Sequence, residues 1–152
     1  MIRVAPEPFD AGEELRRLAE SCANGGAIAS FTGIVRGGGG VTALELEHHP
    51  RLTAKVVEAI GADARARFGL QGLTIIHRHG PLGPGEAIVF VAAAAEHRRA
   101  AFDAVDYVMD RLKTEAPFWK REQGPDGARW IEPRASDHAD RARWEGTAYA
   151  RD

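Results

Sequence analysis

The sequence predicts an α+β domain, on three observations. Segments with the two-residue alternation of strands outnumber those with a helical period. They tend to follow one another in pairs. Two of the connections between them, Gly80-Pro81-Leu82-Gly83-Pro84-Gly85 and Gly124-Pro125-Asp126-Gly127, are the short glycine–proline stretches that suit hairpins. The element order reads roughly βαββαββαββ. Hairpins outweigh regular βαβ alternation, so a mixed or antiparallel sheet with about three helices and an additional small antiparallel sheet is expected.

The elements follow in order. Residues 2–5 can form a short strand that Pro6 ends. Asp10, with Glu13 three positions on, has capping-box spacing and opens a helix whose Leu15, Leu18 and Cys22 recur at helical intervals; Asn24-Gly25-Gly26 stops it. Ala27 to Val35 reads as a buried strand. Arg36 and four glycines, Gly37 to Gly40, come next, either a mobile lid that orders on a ligand or a plain hairpin connection. Val41 to His48 alternates, with Leu44 and Leu46 on one face and Glu45 and Glu47 on the other. A helix carried by Leu52, Val56, Ile60 and Ala64 runs from about Leu52 to Phe68, with Gly69 as its stop. Leu73 to His79 and Glu86 to Ala94 form the clearest hairpin, and the apolar run Ala87 to Val91 suggests burial on both faces. The longest helix spans about Glu96 to Glu115, with Phe102, Val105, Met109 and Leu112 as its core stripe, and Pro117 enforces its end. Phe118 to Gln123 and Ala128 to Glu132 make a second hairpin. A possible short helix ends near Trp144. Residues 1–145 are expected to be one domain and residues 146–152 a frayed tail.

Composition excludes several classes. The formal net charge is −2, so no global basic field points to nucleic acid, and any anion site must be local. There is no run of 18 apolar residues and no leader at the N-terminus, so no membrane segment is expected and the cytoplasm is the default compartment. Cys22 is the only cysteine, which rules out a disulfide within the chain and a cysteine-rich zinc site. His48 and His49 are adjacent, and as strand neighbours would point to opposite faces. His77 and His79 share a face but lack a carboxylate or cysteine at ligand spacing, so no metal is expected. No serine elbow, phosphate-binding loop or dinucleotide fingerprint is present.

The chemistry that remains is cationic. Arg36 precedes the glycine loop, His97-Arg98-Arg99 opens the long helix, and Lys113, Lys120 and Arg121 flank Pro117. A His-Arg pair in a first helical turn runs against the dipole preference unless an anion binds there, where helix amides and an arginine fork together suit a phosphate. Lysines beside the apolar Phe118 and Trp119 can be desolvated, which pushes an ammonium towards neutrality and reactivity. The alternative is a Lys113 that caps a helix C-terminus and a Lys120 on a solvated strand face.

The string Leu112-Lys113-Thr114-x-Ala116-Pro117-Phe118-Trp119-Lys120-Arg121-Glu122 is joined by Phe31-Thr32-Gly33, Arg36, Leu46-Glu47-His48, Ile76-His77-Arg78-x-Gly80 and His97-Arg98. Together these resemble the large, catalytic subunit of molybdopterin synthase, from about residue 3 to Trp144. The resemblance implies an α/β hammerhead-type fold and a homodimer at the centre of a heterotetramer. The partner would be a small ubiquitin-like sulfur-carrier subunit whose thiocarboxylated C-terminus enters a pocket. Two sulfurs would pass to cyclic pyranopterin monophosphate to form the dithiolene of molybdopterin, without a metal or bound cofactor. Carried across by position, Lys113 and Lys120 would be catalytic. Arg36, His97 and Arg98 would hold phosphate and pterin, Arg121 and Glu122 would extend the pocket, and Arg134 would add a basic position. Ile34 stands where some relatives have a lysine, so substrate contact at Ile34 and Val35 would be through backbone or absent. The glycine loop is shorter and plainer than in some relatives. Competing classes are a dimeric adaptor that grips an acidic tail and a phosphate-ester enzyme.

His97 and Lys113 are sixteen positions apart on one expected helix, about 24 Å at roughly 1.5 Å per residue. A pterin phosphate cannot bridge that distance. Either the helix is broken or one site draws on two protomers; the second is expected.

Overall fold

The structure is a computed structural model that describes residues 1–146. In chain order the elements are β1 (Ile2–Ala5), α1 (Ala11–Ser21), β2 (Ala27–Ile34), β3 (Ala43–His48), α2 (Pro50–Phe68), β4 (Gly72–Arg78), β5 (Gly80–Leu82), β6 (Ala87–Ala95), α3 (Arg98–Thr114), β7 (Phe118–Gly124), β8 (Gly127–Ile131) and α4 (Ala135–Ala142). Two four-stranded sheets result, in the orders β1-β4-β6-β2 and β5-β3-β7-β8. Among the described residues only β1 and β4 pair in parallel, and the other strand ladders are antiparallel.

The first sheet is covered on both faces, which is why β4 is buried at every residue and β6 at all but its first two. Alternation divides their side chains between two cores. Leu73, Ile75, Val89, Val91 and Ala93 face α2 and α3, whereas Ile76, Phe90, Ala92 and Ala94 face α1 and Leu18. The alanines of β6 let helices approach the sheet closely. Val35, Leu44, Leu46 and Leu82 form a third, smaller core under the second sheet.

The helix ends follow local chemistry. The Asp10 carboxylate accepts from the Glu13 amide at 2.9 Å, capping α1. Gly69 adopts a left-handed conformation at the C-terminus of α2, where a glycine avoids a Cβ clash.

Several expectations are corrected. Pro50 opens α2 at its first turn instead of merely ending the strand before it, and His49 leaves the strand to act as N-cap through Nδ1, 3.3 Å from the Leu52 amide. The stretch Gly80–Leu82 does not stay in the turn. It crosses to the second sheet and pairs with β3. The Gly37–Gly40 segment is no hairpin connection, because β2 and β3 lie in different sheets. The core stripes of the two long helices hold at Ile60, Ala64, Val105 and Leu112, which are buried, but not at their first members. Leu52 is 49% and Phe102 60% exposed, while Thr53, Val57, Ala101, Ala104 and Val108 pack inward. The long helix starts at Arg98, with Glu96 outside it. The expected tail from Gly146 onward lies, after that residue, outside the described residues. Among the described residues no helix is long and apolar enough to cross a membrane.

Gly26 links α1 to β2 where the chain passes the end of β6. A Cβ there would stand 2.0 Å from the backbone oxygen of Glu96, so Gly26→Ala should destabilise the protein by about 1–3 kcal/mol, the usual scale of overpacking. Urea unfolding of the two proteins side by side measures this.

Candidate active site

The break after α3 places the two lysines. The Thr114 hydroxyl donates back to the Asp110 carbonyl at 2.8 Å in the last turn of α3. Ala116 is buried, and the Pro117 carbonyl accepts from the hydroxyl of fully buried Thr53 on α2 at 3.2 Å. The chain leaves this tether as β7, which pairs with β3 so that Phe118 faces His48 and Lys120 faces Leu46. Lys113 therefore sits at a helix end and Lys120 on the next strand, close enough for the Lys113 charge to act on Lys120.

The two lysines are not equivalent. Lys113 is about half exposed, and its Nζ donates to Asp137 Oδ1 at 3.2 Å. Lys120 has no hydrogen bond or ion pair among the described residues. Burial pushes its ammonium down from the ordinary lysine value, the Lys113 charge adds to that, and Asp137 opposes it. The Asp137 carboxyl is held below the usual range: its burial is outweighed by the Arg134 amide, at 2.8 Å, and by both lysines.

Beneath Lys120 lies an aromatic floor. The Phe118 ring stacks on buried His77 with centroids 3.8 Å apart and an interplanar angle of 14°. His48 and His79 form a second close pair at 4.0 Å. Burial pushes the His77 imidazole down to about 4. A hydrogen bond at 2.8 Å, donated by Nδ1–H to the Arg78 carbonyl, opposes the shift, and Lys120, His48 and His79 reinforce it. His48 is lowered as well, by burial and by its histidine neighbours, and its Nδ1 is buried without a partner. The stacked Phe118 and neutral His77 thus stand where a charged ring would repel Lys120.

The remaining candidates divide into two groups. Arg36, Arg98 and Arg134 are exposed and have no ion-pair partner among the described residues, while Arg16, Arg78, Arg111, Arg121 and Arg141 are all paired. Free arginines can suit an anionic ligand, and exposed Arg51 and Lys55 on α2 are likewise outside any ion pair among the described residues. His97 is the N-cap of α3 but makes no side-chain cap bond, and no acid occupies the first turn, so the α3 amides are open. In contrast, Arg121 points to the opposite face of β7 from Lys120, forms an ion pair with Glu45 and lies over the Trp130 ring at 5.4 Å. Glu122 accepts from Arg129 at 3.1 Å; the acid beside the lysines is Asp137. Val35 is a core residue with its amide bonded to the Glu86 carbonyl at 2.9 Å, whereas Ile34 is 54% exposed. α3 is unbroken over its 17 residues, so His97 and Arg98 stand about 24 Å from Lys113 within a protomer. Among the described residues no group of three His, Cys, Asp or Glu side chains could hold a metal.

Reading the sequence missed Asp137 and the His77–Phe118 stack. His77 did carry a signal, as a histidine inside an otherwise apolar strand. Asp137 carried none, because its link to Lys113 spans 24 positions and depends on how α4 docks.

Fold and site together define a two-sheet α+β protein with a lysine pair, one member desolvated and the other half exposed, and open cationic positions. The chain belongs to the MoaE protein family, whose model matches residues 4–115. It is 50% identical over 146 residues to the molybdopterin synthase catalytic subunit of Yersinia pestis, covering 94% of this chain and 96% of that one. The solved MoaE protein of Burkholderia ambifaria MC40-6 superposes with a TM-score of 0.81 at 46% identity, over 95% of this chain and 97% of that chain. A chain from the complex of subunits 1 and 2 of the Helicobacter pylori 26695 molybdopterin-converting factor shares the fold, with a TM-score of 0.75 at 21% identity, over 88% of this chain and 91% of that one.

His77 provides a stability test. Its folded value of about 4 lies below the ordinary 6.5, so the unfolded chain binds more protons between these limits. The contribution is complete above about pH 6.5 and is lost as pH falls towards 4, on the order of 3 kcal/mol in all. His77→Phe, which keeps a ring against Phe118, should lose much less stability across that window in urea titrations at pH 7 and 4.5.

Proposed function

We propose that this chain is the catalytic subunit of a molybdopterin synthase, transferring two sulfurs from a thiocarboxylated carrier protein to cyclic pyranopterin monophosphate. The observation that carries the reading is the lysine pair at the Pro117 break, with Lys120 desolvated over the stacked Phe118 and neutral His77. Family membership supplies the reaction class. In each transfer the carrier's thiocarboxylate becomes a carboxylate and the substrate exchanges an oxygen for sulfur. Two such exchanges give the dithiolene.

The lysines take different roles. Lys113, at the exposed end of α3, can reach and activate the carrier's carboxyl end. Lys120, with its lowered ammonium pKa, is the stronger acid for a lysine and donates the proton to the departing oxygen. Arg36, His97, Arg98 and Arg134 anchor the anionic substrate, converting an encounter into a positioned reaction. Arg121 and Glu122 are engaged by Glu45 and Arg129 and bear on the pocket only through the β7 strand that carries Lys120, and Ile34 and Val35 shape the backbone that leads to Arg36.

The unbroken α3 supports a site shared between two copies of the chain. Phe102 lies one turn beyond Arg98 on the same helical face and is 60% exposed. Phe31 is 43% exposed on the edge strand β2. Burying these rings against a second copy would carry Arg98 and His97 towards the partner's lysines. The carrier is a small ubiquitin-like subunit, one per protomer, making a heterotetramer. We also infer a single domain over residues 1–145 and a cytoplasmic location, in keeping with a chain whose one cysteine, Cys22, is free.

Incubating the chain with a thiocarboxylated carrier and cyclic pyranopterin monophosphate should yield the dithiolene product. Lys113→Ala and Lys120→Ala should each lower the rate by about 10²–10⁴-fold; a rate close to that of the unsubstituted chain for either removes that lysine from the chemistry, and binding of the carrier without any product would indicate an adaptor. Phe102→Asp should convert the dimer to monomer in sedimentation and abolish turnover with the fold retained.

A further inference from the structure

Helix α4 raises a physical question, because it is eight residues long and buries none of them. An isolated helix of that length is marginal in water. It is held from its C-terminal end. Arg141 Nε donates to Glu115 Oε1 at 2.8 Å, and Trp144 Nε1 donates to Asp110 Oδ2 at 2.7 Å. The Trp144 ring stands edge-on to Phe68 at 6.0 Å and to Tyr107 at 5.5 Å. All these contacts fix the helix against α2 and α3. The opposite end carries Asp137 to the lysines.

The Asp137 carboxylate is itself constrained at both oxygens. Oδ2 accepts from the Arg134 amide at 2.8 Å and Oδ1 from Lys113 Nζ at 3.2 Å, and only 16% of the side chain is exposed. A single N-capping interaction does not require the second oxygen to meet an ammonium across 24 positions of sequence. Two cations held at a pocket destined for an anionic substrate repel each other whenever that substrate is absent. A fixed carboxylate offsets this repulsion and directs the Lys113 ammonium.

We infer that Asp137 is a positioning residue for sulfur transfer: α4 is a bracket that holds one carboxylate against Lys113 and within electrostatic reach of Lys120. The inference rests on the reading of those lysines as the reacting groups. The charged groups that act on Asp137 are Lys113 of α3 and Lys120 of β7, with the Arg134 amide at the start of its own helix as a hydrogen-bond donor; His77 of β4, in turn, feels Lys120, His48 and His79. Because Asp137 keeps the Lys120 ammonium charged to higher pH, its removal moves the loss of that proton to lower pH.

Asp137→Asn is the test, since the amide oxygen can still accept from the Arg134 amide while the charge is gone. Asp140→Asn, on the same helix, controls for loss of an exposed charge. In the dithiolene assay, Asp137→Asn should lower kcat on the order of tenfold to a hundredfold, the effect of a small misplacement of a reacting group, with the alkaline limb of the pH–rate profile shifted to lower pH. Asp140→Asn should match the unsubstituted chain. A second measurement needs no turnover: the pH dependence of Lys120 carbamylation by cyanate, followed by peptide mass mapping, should shift to lower pH in Asp137→Asn. A Lys120 carbamylation profile that stays in place overturns the inference, whatever happens to the rate. If the unsubstituted chain makes no dithiolene, it is the functional reading that fails.

Discussion

The angle at which the chain leaves α3 is set by Pro117 and by the buried Thr53 hydroxyl that holds the Pro117 carbonyl. Proline at this point ends the helix, and the tether to α2 keeps the following residues from swinging into solvent. Without that fixed exit, β7 could not enter the β3 ladder in the register that sets Lys120 opposite Leu46 and Phe118 opposite His48. The two lysines are seven positions apart in sequence, yet neither a continuous helix nor a continuous strand would give them this relation. A helix would turn them two full turns apart along its axis, and a strand would place them on opposite faces. The break is what makes them a pair.

Electrostatics then separates their environments. Burial over the Phe118–His77 stack lowers the Lys120 ammonium, and the neighbouring Lys113 lowers it further. Lys113 stays half exposed and engages Asp137. An ion pair so exposed contributes at most about 1 kcal/mol to stability, so its value lies in geometry. The neutral state of His77 costs stability in acid but leaves Lys120 without a cationic neighbour below it. The open α3 N-terminus, with His97 and Arg98, works in the other direction by collecting positive potential far from the lysines of its own chain. A protein with a formal net charge of −2 thus leaves Arg36, Arg98 and Arg134 exposed and outside its ion pairs among the described residues.

Much of this was legible in the sequence, and the exceptions have physical causes. The two hairpins, the Pro117 break and the lysines on either side follow from turn chemistry and alternation. Helix positions and most of their core stripes were found, but Leu52 and Phe102 were not separated from the buried residues, because they fit the helical period as well; only packing shows that these two point outward. The crossing of Gly80–Leu82 into the second sheet was masked by its glycine and proline, which also write a turn. Arg121 illustrates the limit of a motif, since its position in the string places it beside Lys120 while the strand pleat turns it to Glu45. Asp137 lies in a polar segment that offers no periodicity, and its role emerges only when α4 is docked through Trp144.

The length of α3 makes the shared site the most exposed claim of this account, and hybrid dimers test it directly. Lys113→Ala and Arg98→Ala proteins, each inactive alone, are mixed under conditions of subunit exchange and assayed for dithiolene formation with a thiocarboxylated carrier. If each site takes its lysines from one protomer and Arg98 from the other, hybrid dimers contain one site with all its residues, and activity returns on mixing. If activity stays at the level of the separate variants although exchange is complete, the lysines and Arg98 do not serve one site across the dimer.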